Sequence, residues 1–171
     1  RPERNGVLED LITPGYADEL ARLLTDRASL TVHRARRGGN DIHPDSMRPW
    51  REMSARYHLK SLLPERTDIW NHFSNSNRND REVLDDIRAR PYYANHLAVE
   101  GMLSIHTNAD ETGSARGSRV FYHASKPADR ELGDMALCYM REIINAQDGY
   151  SDFPVPRSAS TSNHGENNFA L

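Results

Sequence analysis

His106 stands where an apolar run turns polar. Gly101-Met102 leads into Leu103-Ser104-Ile105, His106 follows, and the chain continues through Thr107 and Asn108 to Asp110. A buried strand that delivers one side chain to the mouth of an α/β sheet has this pattern. In open α/β sheets, ligands bind beyond the carboxyl ends of the strands. An imidazole there is either a metal ligand or a strand-end side chain that hydrogen-bonds a neighbour, and one histidine does not decide between the two. The single cysteine, Cys138, excludes an intramolecular disulfide. Its neighbours Met135, Ala136, Leu137 and Tyr139 make it a core thiol rather than a nucleophile.

Composition narrows the field. The chain has 171 residues, enough for one domain with a real core. It is 37% hydrophobic and 27% charged, so the polar excess belongs in loops or an insertion. A net charge of −3 gives no global basic field for nucleic acid. No run approaches the length of a membrane-spanning helix, and the start carries no signal-peptide pattern. It opens on Arg1-Pro2-Glu3-Arg4 without a methionine, as a mature or trimmed form would.

The elements that must position His106 follow from patterning. Ala17, Leu20, Leu23 and Leu24 give one apolar helical face within residues 7–27, with Thr13-Pro14 as N-cap and first helical position. Ser29 to Arg34 is rich in β-branched residues and predicts a strand. Residues 38–86 differ in character. Gly38-Gly39-Asn40 turns the chain, and Pro44, Pro49 and Pro64 break it. Trp50, Met53, Tyr57 and Leu59 predict one amphipathic helix there. This stretch is expected as an insertion at the domain's edge, its aromatics used in local packing or in touching a ligand. Val83, Leu84 and Ile87 predict a helix face, and Pro91 a second short helix. Strands are expected over Met102–His106 and Arg119–His123. A long helix should start at Ser125-Lys126-Pro127, with Leu132, Met135, Ala136, Tyr139 and Ile143 as its apolar face. The last twenty residues read as a loop that ends in the beginning of a strand.

Together these pieces resemble the zinc-dependent N-acetylmuramoyl-L-alanine amidases, the type 3 cell-wall hydrolases. Ser104-Ile105-His106-Thr107-Asn108-Ala109 is similar to the family's Ser-Ile-His-Ala-Asn-Ala strand end. Arg90 with Ala94-Asn95 is similar to its Arg-x-x-x-Ala-Asn helix, and Gly117 to Tyr122 to its Gly-aromatic strand. Glu9, followed by the helix ending in Leu23-Leu24 and a strand ending near Arg34, resembles the family's opening block. About two-thirds of the chain is covered, without residues 38–86.

The resemblance implies an α/β fold: a single domain with a mostly parallel or mixed twisted sheet flanked by helices, hydrolase-like, with the segment 38–86 inserted. It implies a Zn2+ site in which Glu9 and His106 are ligands. The family's first histidine belongs to an Asp-Pro-Gly-His-Gly strand, and its catalytic glutamate to a Val-Glu-x-Gly-Phe strand; neither motif occurs in these residues. No catalytic base is visible, and the chain reads as a partial amidase domain whose missing strands come from a longer parent protein or another chain. His123 and His164 are the candidate substitutes for the first ligand. His123 reads as structural, and Glu166 is a weaker candidate for the base. Asn108 either hydrogen-bonds substrate or caps its loop, and Arg34 and Arg90 tie element ends to carboxylates.

The implied reaction is hydrolysis of the amide between N-acetylmuramic acid and L-alanine in peptidoglycan. The implied setting is the periplasm or the outside of a bacterial cell, with an activator or wall-binding domain elsewhere in the parent protein. The alternative is a non-catalytic peptidoglycan-binding module of the same fold. Residues 38–86 are expected to wall one side of the substrate groove.

Overall fold

Helix α1 spans Glu9–Ala28, so it is already helical a full turn before the expected cap at Thr13-Pro14. Pro14 has no N–H and forfeits one intrahelical bond. In the same turn the Thr13 hydroxyl donates to the Glu9 carbonyl at 2.8 Å, and the helix runs through the proline. At its far end Ser29 takes a φ of +53°, and the Leu30 N–H turns back to the Leu24 carbonyl. This left-handed stop satisfies a terminal carbonyl that would otherwise be orphaned.

The computed structural model describes residues 9–107 and 116–162 of a small mixed α/β protein. They belong to two separate units, 9–107 in one and 116–162 in the other. After α1 the first unit holds a 3₁₀ turn, Trp50–Glu52, and helices α2 (Ala55–Leu62), α3 (Thr67–Trp70) and α4 (Arg81–His96). Its core is Leu59, Ile69, Ala89 and Tyr93, flanked by Leu63, Trp70 and Leu97. Leu59 and Ile69 are fully buried and both lie within 38–86.

Three local expectations are corrected here. The single helix expected from Trp50 to Leu59 is split at Met53, whose backbone is extended. Arg36 donates to the Met53 and Arg51 carbonyls at 2.9 and 2.7 Å, holding the chain at this break. The two helices expected around Pro91 are one, with Pro91 buried inside α4. Its inward face is Asp85, Asp86, Ala89 and Tyr93, while Val83 points to solvent. The carboxylates face inward because backbone donors meet them. Asp85 accepts the Phe73 N–H at 3.0 Å, and Asp86 the Arg56 N–H at 3.1 Å. The Arg56 guanidinium, itself buried, reaches the Trp70 carbonyl, Asn71 and Glu82. Finally, neither Ser29–Arg34 nor Met102–His106 forms a strand. A ladder needs a neighbour. Arg34 pairs instead with Asp18 of α1.

The second unit is built on one βαβ crossover. Strand β1 (Phe121–His123) leads into α5 (Pro127–Asn145), and β2 (Ser160–Ser162) returns parallel to β1, with Phe121 opposite Ser160. Among the described residues the sheet has these two strands. Pro127 suits the first turn of α5, where its missing N–H is not needed. Gly133 brings α5 close to the strands. A Cβ on it would lie 2.8 Å from Ala159 Cβ and 3.2 Å from Val120 Cγ1. Asp134 accepts the Ala159 N–H at 2.6 Å, pinning the approach to β2. The buried line of α5 is therefore Gly133 and Leu137. Leu132, Met135, Tyr139 and Ile143, expected inside, are exposed, and so is Cys138, expected as a core thiol. Two short strands cover only a narrow line of a helix. The unfinished strand expected at the chain's end lies outside the described residues.

Candidate metal centre

Glu9 sits in the first described turn of α1. His106 arrives from the end of α4. There Ala98 adopts a φ of +52°, and the Val99 N–H returns to the Ala94 carbonyl at 3.2 Å. That cap turns the chain out of the helix into the segment that carries residues 100–107.

This segment comes back to α1. His106 Nδ1 lies 2.9 Å from Glu9 Oε1, and the Thr107 backbone N–H donates to the same oxygen at 3.1 Å. On the other side of the ring, Ser104 Oγ lies 3.0 Å from His106 Nε2. The Glu9 side chain is 10% exposed and the His106 side chain 39%. The two residues expected as zinc ligands are thus brought together from 97 positions apart. Ser104 and Thr107 join them. Ser104 precedes His106 by two residues, the alternation that puts neighbours on one side of an extended chain.

The donor types suit zinc, which takes imidazole nitrogen and carboxylate oxygen at about 2.0–2.1 Å in a tetrahedron. Such bond lengths set two donor atoms about 3.3 Å apart. The observed contact is a direct hydrogen bond of 2.9 Å, so admitting an ion means opening it by about 0.4 Å. Among the described residues no third His, Cys, Asp or Glu completes a group with this pair. Asn108, His164 and Glu166 lie outside the described residues. His123 is on β1 in the other unit, its Nδ1 2.6 Å from Ser125 Oγ.

The expected carboxylate ties hold for both arginines, Arg34 to Asp18 and Arg90 to Asp86. The aromatics of 38–86 are mostly packed. Trp50 is 5% exposed, edge-on to His43 at 4.7 Å, with the Arg37 guanidinium 5.0 Å from its ring. A cavity of about 310 Å³ opens beside this cluster, bounded by His43, Arg48, Tyr57 and Lys60. Burial, and then the hydrogen bond to Glu82 at 3.0 Å, pushes the Tyr57 hydroxyl above its ordinary value. Tyr57 there is a neutral donor.

Comparison with known proteins finds no match, whether to a family model, a curated protein or a solved structure. Among the described residues no helix is long and apolar enough to cross a membrane.

Proposed function

We propose that this chain carries part of a zinc-dependent N-acetylmuramoyl-L-alanine amidase that acts on peptidoglycan in the bacterial cell envelope. The observation that supports the reading is the contact between His106 Nδ1 and Glu9 Oε1 at 2.9 Å. One nitrogen and one carboxylate oxygen converge, each a donor of the type the resemblance calls for. The fold that goes with the reading is a mostly parallel twisted sheet flanked by helices, of which β1-α5-β2 would be one crossover.

Glu9 and His106 would hold the ion. Bound there, zinc would supply Lewis-acid polarisation of the scissile carbonyl and acidify a water molecule. The Thr107 N–H keeps the Glu9 carboxylate aimed at the ring of His106. Asn108 follows directly on this segment and is assigned to the substrate. The third ligand and the base that carries protons to the leaving amine come from the family's two absent motifs.

The test is zinc content and product release with the parent protein that carries those two motifs. Elemental analysis should find stoichiometric zinc in the wild type and loss of it in both Glu9→Ala and His106→Ala. Incubation with peptidoglycan should release peptides with a free L-alanine amine. Wall binding without zinc and without cleavage would replace the enzyme by a binding module. The absence of both zinc and wall binding would overturn the proposal.

A further inference from the structure

We infer that the cavity between the 43–48 turn and α2 binds a small zwitterion with an apolar side chain, a free amino acid or a dipeptide. The inference does not rest on the metal reading of Glu9 and His106.

The walls are held in place without a ligand. The His43 N–H donates to the Arg48 carbonyl at 2.8 Å, and the Met47 N–H to the His43 carbonyl at 2.9 Å. These bonds close the turn, with Met47 at a φ of +56°. The His43 ring is buried edge-on to Trp50. Met53 is buried too, and Ser46 Oγ lies 3.2 Å from its sulfur. Helix α2 contributes Tyr57 and Lys60. The space of about 310 Å³ is at the small end of ligand pockets, which suits a ligand of one or two residues.

Charge then selects the ligand. Asp45, Arg48 and Lys60 all line the cavity. Asp45 and Lys60 form no ion pair with each other, and among the described residues neither has another partner of opposite charge. Lys60 Nζ instead lies 5.6 Å from the Trp70 ring centroid, and Arg48 reaches Glu52 only at 3.9 Å. A carboxylate and an ammonium that do not neutralise each other around one space match a molecule that carries both charges. A dianion such as phosphate would meet Asp45.

His43 adds a donor. The Ser46 backbone N–H can only donate, and it lies 3.2 Å from His43 Nδ1. Nδ1 therefore accepts, and the neutral ring carries its proton on Nε2. Among the described residues Nε2 has no protein acceptor, so its proton is available to a ligand carboxylate. Met53 and the ring of Tyr57, whose hydroxyl is engaged by Glu82, supply the apolar wall.

The experiment follows amide NMR shifts of the full chain during titration with L-leucine, L-leucyl-L-leucine, N-acetyl-L-leucine, L-leucinamide and inorganic phosphate. Leucine or the dipeptide should shift the Ser46 and Tyr57 amides saturably at about millimolar concentration, and the tighter of the two identifies the source. Acetylation and amidation, each removing one charge, should weaken binding about threefold. Asp45→Asn and Lys60→Gln alter exposed side chains and should each weaken the zwitterion by a similar factor, about threefold. Lys60→Gln should leave the affinity for L-leucinamide unchanged, and Asp45→Asn that for N-acetyl-L-leucine. No saturable shift, phosphate binding as tight as the zwitterions, or full affinity in both variants would overturn the inference. Each of these outcomes leaves the metal reading untouched.

Discussion

The Asp86 carboxylate accepts the backbone N–H of Arg56 from thirty residues away, at 3.1 Å. Arg56 is the second residue of α2, so a side chain of α4 satisfies one of the orphan donors at the start of another helix. The same carboxylate pairs with Arg90. Asp86→Ala is expected to destabilise the chain by about 2 kcal/mol, the typical cost of stranding a buried donor. Asp86→Asn keeps the accepting oxygen and should cost roughly half of that. Urea unfolding of the two variants is the measurement. Equal losses would shift the role of Asp86 from the Arg56 N–H to the Arg90 charge.

A pH dependence follows from His58. Burial first, then the Arg37 and Arg34 charges, hold its imidazole below the ordinary value, with a backbone hydrogen bond at Arg34 opposing. Unfolding restores the ordinary value of 6.5, so the unfolded chain takes up the proton first as pH falls. Stability from this group is complete above that value. It is lost as pH falls from there toward the depressed folded value. Thermal midpoints should drop on acidification through this window, and His58→Gln should show a flatter profile. A profile equally steep in the variant would assign the acid sensitivity to other groups.

Glu9→Ala removes the oxygen that the Thr107 N–H and His106 share. The expected outcome is faster hydrogen exchange at the Thr107 amide, with protection in α4 unchanged. Glu9→Gln keeps an acceptor and should preserve much of the protection. Exchange at Thr107 as slow in Glu9→Ala as in wild type would remove Glu9 from this role.

Gly133 tests the packing of the βαβ unit. Alanine favours a helix by about 1 kcal/mol over glycine. Overpacking costs about 1–3 kcal/mol, and the added Cβ would sit 2.8 Å from Ala159 Cβ. The steric cost should win, making Gly133→Ala net destabilising. Ala159→Gly in the same chain should relieve the closest clash. A double-mutant cycle on unfolding free energy measures that coupling, and additive losses would exclude it.

Cys138 is exposed on α5, so the native protein should react with a thiol-specific reagent at a rate near that of the unfolded chain. A reaction that requires denaturant would place the thiol under cover.

Helical periodicity was legible in the residues; what covers a helix was not. Leu132, Met135, Tyr139 and Ile143 mark a true apolar side of α5, and the spacing alone carries no sign that only Gly133 and Leu137 meet the strands. The inward turn of Asp85 and Asp86 was illegible because it depends on backbone donors of Phe73 and Arg56, which no local pattern reveals. Extended character at Ser29–Arg34 was a matter of β-branched propensity, and propensity does not supply a pairing partner. Nothing in the spacing of Glu9 and His106 relates them; only the family resemblance does. Ser104 lies in the same motif, and the sequence carries no sign that its hydroxyl meets His106 Nε2.

The contact between Glu9 and His106 closes a loop of 97 residues. Closing a flexible loop of that length costs about 4 kcal/mol in chain entropy, more than one hydrogen bond returns. The pair therefore cannot nucleate folding. It must form late, after α2, α3 and α4 have drawn the chain in. The same inequality runs backwards: this contact should open before the core does, through local fluctuations that leave Leu59 and Ile69 buried. Opening of the Glu9–His106 contact is thus a low-energy event in a unit whose interior stays closed.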